Sequence, residues 1–170
     1  VGPVLSPSEF GVRFFSNGSD ACDAAVRVAR AVTGRKNFVS IGYHGSSQLF
    51  AVPPQCAGIL SGAADGRVLI EFCDADALAS AVDKETACVI VEVPSTDERA
   101  QEFLGFISDH CYSVGALFVL DEVVTGFRLG LTGAAGHYSV RPDMACYGKA
   151  LSNGRPVAAL VGDRQVMEAL

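Results

Sequence analysis

Lys149 lies between two apolar segments, a position where a lysine is seldom needed merely for solubility. It follows the run MACYG at residues 144–148 and precedes the glycine-bearing turn SNG at residues 152–154. A lysine amine held among apolar groups tends to be neutral, and a neutral amine attacks carbonyl carbons. Taken alone, Lys149 is better explained as a lysine whose amine reaches solvent or pairs with a carboxylate.

A second candidate is Asp121, the last residue of the apolar segment ALFVLD at residues 116–121. A carboxylate at the end of a buried strand costs free energy unless a cation or a hydrogen-bond donor meets it. A metal site would need more carboxylates or histidines than the spacing supplies, so we predict none. A protonated heterocyclic nitrogen would serve equally well as the partner. A capping aspartate at a strand–helix turn explains the residue about as well.

The segment FFSNGSDACDAAVRVARA, residues 14–31, has the pattern of a strand, a turn of small residues and a helix. Backbone N–H groups at the start of a helix, together with the helix dipole, attract an anion. Gly18 would let the backbone approach that anion closely, and Ser19 could add a hydroxyl donor. The spacing matches neither GxGxxG nor GxxxxGK[ST], which argues against dinucleotide and ATP binding. For this segment alone, an ordinary helix cap is the simpler explanation.

An anion site, a carboxylate and an amine together match one ligand, pyridoxal phosphate. Its phosphate suits the helix start, its pyridine nitrogen suits Asp121, and its aldehyde condenses with Lys149. Tyr43, in the segment IGYHG at residues 41–45, could stack on the ring, although a tyrosine of the core would give the same pattern. For the neighbouring His44 we expect a local hydrogen bond within its loop.

Alternating strands and helices must position these residues. Apolar periodicity predicts strands at residues 11–15, 37–41, 68–72, 87–92, 116–121, 143–147 and 156–161. Helices are predicted at residues 19–32, 74–82 and 97–114, with a further helix starting near residue 163. The alternation predicts an α/β fold with a mainly parallel sheet flanked by helices. In such sheets functional groups gather at the carboxyl ends of the strands, where Tyr43, Asp121 and Lys149 stand.

Composition excludes several other classes of function. The chain has 170 residues, which suits one domain, and a net charge of −6 without a basic cluster. Nucleic acid and anionic membrane surfaces are therefore poor partners, and no apolar run approaches the roughly 20 residues of a membrane helix. Six cysteines occur without a CxxC pair, which favours free thiols in a reducing cytoplasm over a zinc site or a disulfide framework.

Five segments, in the family's order, carry a resemblance to a known family. They are VRFFSNGSDACDAAVRVARAVTGRKNFV (residues 12–39), YHG (43–45), CVIVEVP (88–94), GALFVLDEVVTGFRLG (115–130) and RPDMACYGKALSNGRPVAALVG (141–162). They resemble the class III, fold-type I aminotransferases, most closely their glutamate-1-semialdehyde 2,1-aminomutase-like branch, and the pair DEVVTGFR and PDMACYGKALSNG is the specific part. The resemblance implies the large domain of a pyridoxal-phosphate enzyme that moves an amino group between an amino donor and a carbonyl acceptor. It also implies a homodimer. We expect residues 1–170 to be the cofactor-binding core alone, without the family's N-terminal segment and C-terminal small domain.

The resemblance also implies a role for each matching residue. Gly18 and Ser19 would bind the phosphate, and Tyr43 would stack on the ring. Val123 would pack on the ring's other face. Asp121 would pair with the ring nitrogen, and Lys149 would form the Schiff base.

The sequence departs from the family in three places. The segment after Tyr43 looks short, ending in AVPPQCAGIL at residues 51–60 where aminomutases carry a mobile lid. Asp20 stands where the family usually has glutamate. After Glu92, the proline is displaced to Pro94, and most of a loop that helps to hold the cofactor is missing. These departures leave open a non-catalytic scaffold or interaction module with the aminotransferase fold. A Rossmann-type oxidoreductase would suit the alternating pattern but lacks the glycine fingerprint.

Overall fold

The structure, a computed structural model, describes residues 9–51, 57–94 and 97–169. Its strands are β1 (Phe10–Phe15), β2 (Asn37–Ile41), β3 (Arg67–Ile70), β4 (Thr86–Glu92), β5 (Leu117–Asp121), β6 (Met144–Tyr147) and β7 (Ala158–Asp163). Its helices are α1 (Gly18–Thr33), α2 (Ala75–Ala81), α3 (Ala100–Val114), α4 (Gly133–His137) and α5 (Arg164–Met167), with a 3₁₀ turn at Lys149–Leu151. The strands form one sheet in the order β1-β7-β6-β5-β4-β2-β3. The predicted α/β fold is confirmed.

The directions of the strands bring their functional ends together. Pairing is parallel from β3 through β2, β4 and β5 to β6, whereas β7 runs antiparallel to β6 and to β1. β1 therefore points the same way as β6, and the mainly parallel, mixed sheet is as predicted. One edge of the sheet collects the carboxyl ends of every strand except β7, which contributes its amino end there.

Alternate residues of the central strands face two separate cores. In β4, Cys88 and Ile90 belong to the core beneath α1, whereas Val89 and Val91 belong to the core that α2 and α3 cover. Because both faces are covered, β4 reads as a continuous apolar run rather than as alternating polar and apolar residues.

Side-chain and glycine caps set the ends of the helices. Asn17 begins α1 by accepting a hydrogen bond from the Asp20 N–H at 3.0 Å, and Gly34 ends it with a positive φ of 69°. Asp74 caps α2 by accepting a hydrogen bond from the Ala77 N–H at 2.9 Å.

Three predicted elements have boundaries that are wrong by two or three residues. The strand predicted at residues 68–72 lies at Arg67–Ile70, and the helix predicted from residue 97 begins at Ala100. The strand predicted at residues 156–161 lies at Ala158–Asp163. The Asp97 carboxylate accepts a hydrogen bond from the Arg99 N–H at 2.9 Å. That contact competes with helix formation and favours a turn over residues 97–99.

Glu122 explains α4, a helix that the sequence pattern did not predict. Its carboxylate is fully buried and accepts hydrogen bonds from the Thr125 hydroxyl at 2.5 Å, the Ala134 N–H at 2.9 Å and the Ala135 N–H at 2.8 Å. At Gly133, which has a φ of 60°, an added Cβ would lie 2.6 Å from the carboxylate oxygens. The buried Glu122 side chain therefore fixes the first turn of α4. Apolar periodicity contributes little to the formation of this helix.

The cysteines behave as expected over the described residues. Cys22, Cys88, Cys111 and Cys146 are free and buried, and Cys73 is free and half-buried. Cys56 lies outside the described residues. No described helix combines the length and the apolar character that crossing a membrane requires.

We predict that Glu122→Gln lowers the free energy of unfolding by about 1–3 kcal/mol, the cost of leaving a buried donor without an acceptor. The amide nitrogen of glutamine would face an N–H or a hydroxyl that the carboxylate now satisfies. Urea unfolding followed by circular dichroism measures the change. The matched control is Glu98→Gln at an exposed glutamate, which should stay within about 0.5 kcal/mol of wild type. Equal stability of the two variants would contradict this role of Glu122.

Candidate functional site

A cavity of about 480 Å³ lies at the edge of the sheet where the strand ends meet. All six candidate residues line it: Gly18, Ser19, Tyr43, Asp121, Val123 and Lys149. Polar residues from the same elements complete the lining, among them Ser16, Asn17, His44, Glu92, Ser152 and Arg155. Ser16 and Val157, which are 141 positions apart in sequence, thus share one cavity, as the sheet topology requires.

Asp121 is 2% exposed, and donors from three different segments surround its carboxylate. Oδ2 lies 2.8 Å from His44 Nδ1 and accepts from Cys22 Sγ at 3.4 Å. Oδ1 accepts from the Val123 N–H at 3.0 Å. A carboxylate oxygen has two lone pairs, so Oδ1 retains capacity for one further donor. The partner that the sequence required for this buried carboxylate is therefore present, and the carboxylate is not saturated.

His44 is the site residue that sequence reasoning underestimated. The predicted local hydrogen bond within its loop is wrong, because Nδ1 bonds to Asp121, 77 residues away in sequence. The ring is 3% exposed and packs against Phe50 with a centroid separation of 5.0 Å. Its Nε2 has no hydrogen-bond partner among the described residues. A histidine at a strand end of a parallel sheet, on the same edge as a buried aspartate, was the available signal.

Burial alone would lower the pKa of His44, but the hydrogen bonds to Asp121 and Cys22 and the charge of Asp121 raise it to about 9. His44 is therefore an imidazolium near neutral pH and forms a buried ion pair with Asp121. The Cys22 thiol has its pKa raised well above the ordinary range by its hydrogen bond to Cys146 and by burial. It thus remains a protonated donor to Asp121.

Close packing shapes the part of the cavity at the start of α1. An added Cβ at Gly18 would lie 2.8 Å from Val123 Cγ2. Gly45 has a φ of 101°, and a Cβ there would collide with the Ser19 side chain. Glycine at both positions leaves the N–H groups of the first turn of α1 accessible from the cavity.

Tyr43 is 59% exposed, so the alternative of a plain core tyrosine is wrong. Its backbone N–H donates to Glu92 Oε2 at 3.0 Å. Gly42, with a φ of 94°, gives the turn that brings the two residues together. Glu92 therefore fixes the backbone that carries the Tyr43 ring, a role that its sequence context did not reveal. The displaced Pro94 precedes residues 95 and 96, which lie outside the described residues.

The expectation that the Lys149 amine is lodged among apolar groups is wrong, because Lys149 is exposed. The residue begins the 3₁₀ turn after β6 with a φ of 40°. The apolar residues before it, such as Met144 and Cys146, are buried within the sheet, but the chain leaves the sheet before Lys149. Within the described part of the chain, Lys149 Nζ has no recorded hydrogen bond or ion pair, so its amine is available at the cavity.

Asp121, His44 and Cys22 also place three ligand-type atoms within 4.8 Å of one another. The sequence spacing did not reveal this cluster, because its members come from α1, from the segment after β2 and from β5. Two of the contacts are the hydrogen bonds to Asp121 described above. The protons of His44 and Cys22 thus already satisfy the carboxylate oxygen Oδ2.

The sequence from residue 4 to residue 170 matches the model of the class III aminotransferase family. The chain belongs to that family. The predicted resemblance to this family is confirmed over residues 4–170.

Named relatives place the chain within class III. It is 35% identical to the glutamate-1-semialdehyde 2,1-aminomutase of Psychrobacter sp. (strain PRwf-1), an alignment that covers 98% of this chain and 43% of that protein. The FumI protein of Sphingopyxis sp. MTA144, solved in its PLP internal aldimine form, superposes with a TM-score of 0.83 at 32% identity, covering 93% of this chain and 40% of that one. The ornithine aminotransferase of Toxoplasma gondii ME49 gives a TM-score of 0.84 at 26% identity, with 96% and 44% covered. The chain thus spans about two fifths of the length of these relatives.

The ion pair predicts how stability depends on pH. The folded protein holds the His44 proton up to about pH 9, whereas the unfolded chain releases it near pH 6.5. The contribution of the ion pair to the free energy of unfolding is therefore fully present below pH 6.5 and is lost as the pH rises through 9. This contribution amounts to roughly 3 kcal/mol. Urea unfolding between pH 6 and 9.5 should show a steeper decline for wild type than for His44→Gln.

The control is His137→Gln, a change at an exposed histidine that should keep the wild-type pH profile. Parallel profiles for wild type and His44→Gln would contradict the ion pair.

Proposed function

We propose that this chain is the cofactor-binding core of a pyridoxal-phosphate-dependent enzyme that transfers an amino group, of the aminotransferase or 2,1-aminomutase type. The strongest support for this proposal is a pair of groups in one cavity. The buried Asp121 carboxylate keeps one open hydrogen-bond acceptor position, and the Lys149 amine is available there. The relatives support the same activity, since one is named an aminomutase and another an aminotransferase.

The described residues fit the cofactor. Asp121 Oδ1 has room for one donor, which suits a protonated pyridine nitrogen. The first turn of α1 offers N–H groups and the Ser19 hydroxyl to a phosphate. A cavity of about 480 Å³ accommodates a ring of this size together with part of a substrate.

In this proposal, Gly18 and Ser19 would hold the phosphate, and Tyr43 and Val123 would pack on the two faces of the ring. Glu92 acts indirectly, through its hydrogen bond to the Tyr43 N–H. Lys149 holds the cofactor covalently through Nζ. When bound, pyridoxal phosphate withdraws electrons from the carbon that carries the amino group.

The chain's own residues control the protons. Asp121, paired with the His44 imidazolium, would hold a proton on the ring nitrogen of the cofactor. Lys149 Nζ, when it is not covalently engaged, would take the proton from the substrate carbon as a general base. Its place on an exposed turn leaves Nζ the freedom of movement that both tasks require.

The cavity favours an enzyme over the alternative of a scaffold with the same fold. A scaffold has no use for a buried carboxylate that three donors hold in place while one acceptor position stays open toward a cavity. The amino donor and the carbonyl acceptor would be small molecules that reach this cavity from its open side.

A homodimer in the cytoplasm completes the proposal. The dimer is supported by exposed apolar side chains, of which Phe14 is 74% and Leu131 is 93% exposed. The cytoplasmic location is supported by the five free cysteines among the described residues.

Lys149→Ala should abolish the covalent attachment of pyridoxal phosphate, because neither of the other two lysines in residues 1–170, Lys36 and Lys84, lines the cavity. The protein, at its full natural length, is incubated with the cofactor, reduced with borohydride and mapped by mass spectrometry. Wild type and the control Lys84→Ala should carry the adduct on Lys149. An adduct of unchanged yield in Lys149→Ala would remove this residue from the proposal.

Asp121→Asn should preserve cofactor binding but lower turnover by roughly a hundredfold or more, since a neutral amide stabilises the protonated ring nitrogen poorly. The comparison uses turnover with an amino donor beside the dissociation constant of the cofactor. Asp109→Asn, at an exposed position of α3, is the control. Turnover of Asp121→Asn within about threefold of wild type would show that the ring-nitrogen role is wrong.

A further inference from the structure

Arg155 is a cation of the cavity to which neither the family resemblance nor the proposed function gives a task. It lies three residues before β7, in the segment that connects Lys149 to that strand. β7 pairs antiparallel with β1, and Ala158 stands opposite Phe15. The chain before Ala158 therefore runs beside the chain after Phe15, which is the start of α1.

The backbone of Arg155 is held on both sides. Its N–H donates to the Ser152 carbonyl at 3.1 Å, and its carbonyl accepts from the Val157 N–H at 2.9 Å. The side chain is exposed, and within residues 9–51, 57–94 and 97–169 no hydrogen bond or ion pair of its guanidinium is recorded. A fixed backbone that directs an unpaired guanidinium to a cavity is suited to binding an anion.

A phosphate bound at the start of α1 would need a cation beside it. A bound phosphate monoester carries a charge of about −1.5 to −2, whereas the helix dipole supplies only about half a positive charge. Asp20, in the first turn, adds a negative charge, and Asn17 holds it there through an Nδ2–H bond to Oδ2 at 2.8 Å. The lysine and arginine side chains in the cavity lining are Lys149 and Arg155. Since Lys149 is committed to the covalent bond, Arg155 remains as the counter-charge.

We propose that the Arg155 guanidinium binds the phosphate of pyridoxal phosphate, opposite the N–H groups at the start of α1. This inference rests on the proposed function and adds a residue to it. Guanidinium and phosphate match in geometry and can form two parallel hydrogen bonds. The same chemistry would also recognise a carboxylate of a substrate, and the experiment separates these two anions.

The test measures dissociation constants of the full-length protein for pyridoxal phosphate and for pyridoxal, which lacks the phosphate, by equilibrium dialysis. Arg155→Met should weaken the binding of pyridoxal phosphate by about 10- to 100-fold, as the loss of one charge-assisted hydrogen bond predicts. The affinity for pyridoxal should change by less than about twofold. Arg155→Lys should restore part of the affinity for the phosphate, because it keeps the charge without the planar fork.

The matched control is Arg141→Met, an exposed arginine that pairs with Asp163 and lies outside this cavity. It should leave both dissociation constants unchanged. Circular dichroism and the thermal midpoint of each variant show that the fold is intact. A general loss of fold would weaken pyridoxal phosphate and pyridoxal alike, which the selective effect excludes.

Three outcomes would overturn the inference. If Arg155→Met binds pyridoxal phosphate as tightly as wild type, Arg155 does not contact the phosphate. A variant with unchanged cofactor affinity but a raised KM for a carboxylate-bearing substrate would assign Arg155 to the substrate instead. If wild type itself binds no pyridoxal phosphate, the proposed function fails, and the inference fails with it.

Discussion

The ion pair between Asp121 and His44 is the contact on which the site depends. A carboxylate that is 2% exposed is unfavourable without compensation, and here an imidazolium 2.8 Å away, a thiol and a backbone N–H provide it. Together these contacts fix the orientation of the carboxylate and leave Oδ1 with one open acceptor position. Both the charge and the direction of Asp121 toward the cavity are therefore set before any ligand binds, which is preorganisation in the physical sense.

Asp121 and Glu122 are neighbours in sequence with opposite uses. The Asp121 carboxylate is satisfied only in part and lines the cavity. The Glu122 carboxylate points to the other side of the chain, where a hydroxyl and two N–H groups satisfy it and hold α4. The alternation of side chains in an extended strand end separates the two groups. The Asp121 carboxylate thus lines the cavity, whereas the Glu122 carboxylate stabilises the fold.

The strands and the main helices could be predicted because their signals are local, whereas the role of Val123 came from the family resemblance. Strands with two buried faces are apolar runs, helix caps are short motifs, and parallel strands bring their carboxyl ends to one edge of the sheet. His44 was underestimated because its partner lies 77 residues away. The exposure of Lys149 was missed because burial was inferred from its neighbours in sequence, although the chain leaves the sheet between them. Similarly, α4 depends on a carboxylate eleven residues before its first residue, which apolar periodicity does not report.

The position of the His44–Asp121 contact within the sheet has a consequence for folding. His44 follows β2 and Asp121 ends β5, and β4 lies between these two strands. In the native sheet the contact thus spans β4, and its geometry requires β4 to be paired with both neighbours. The contact joins residues far apart in sequence, which is the kind of non-local pairing that slows folding. The organised Asp121 carboxylate therefore depends on the completed central sheet and not on any one strand.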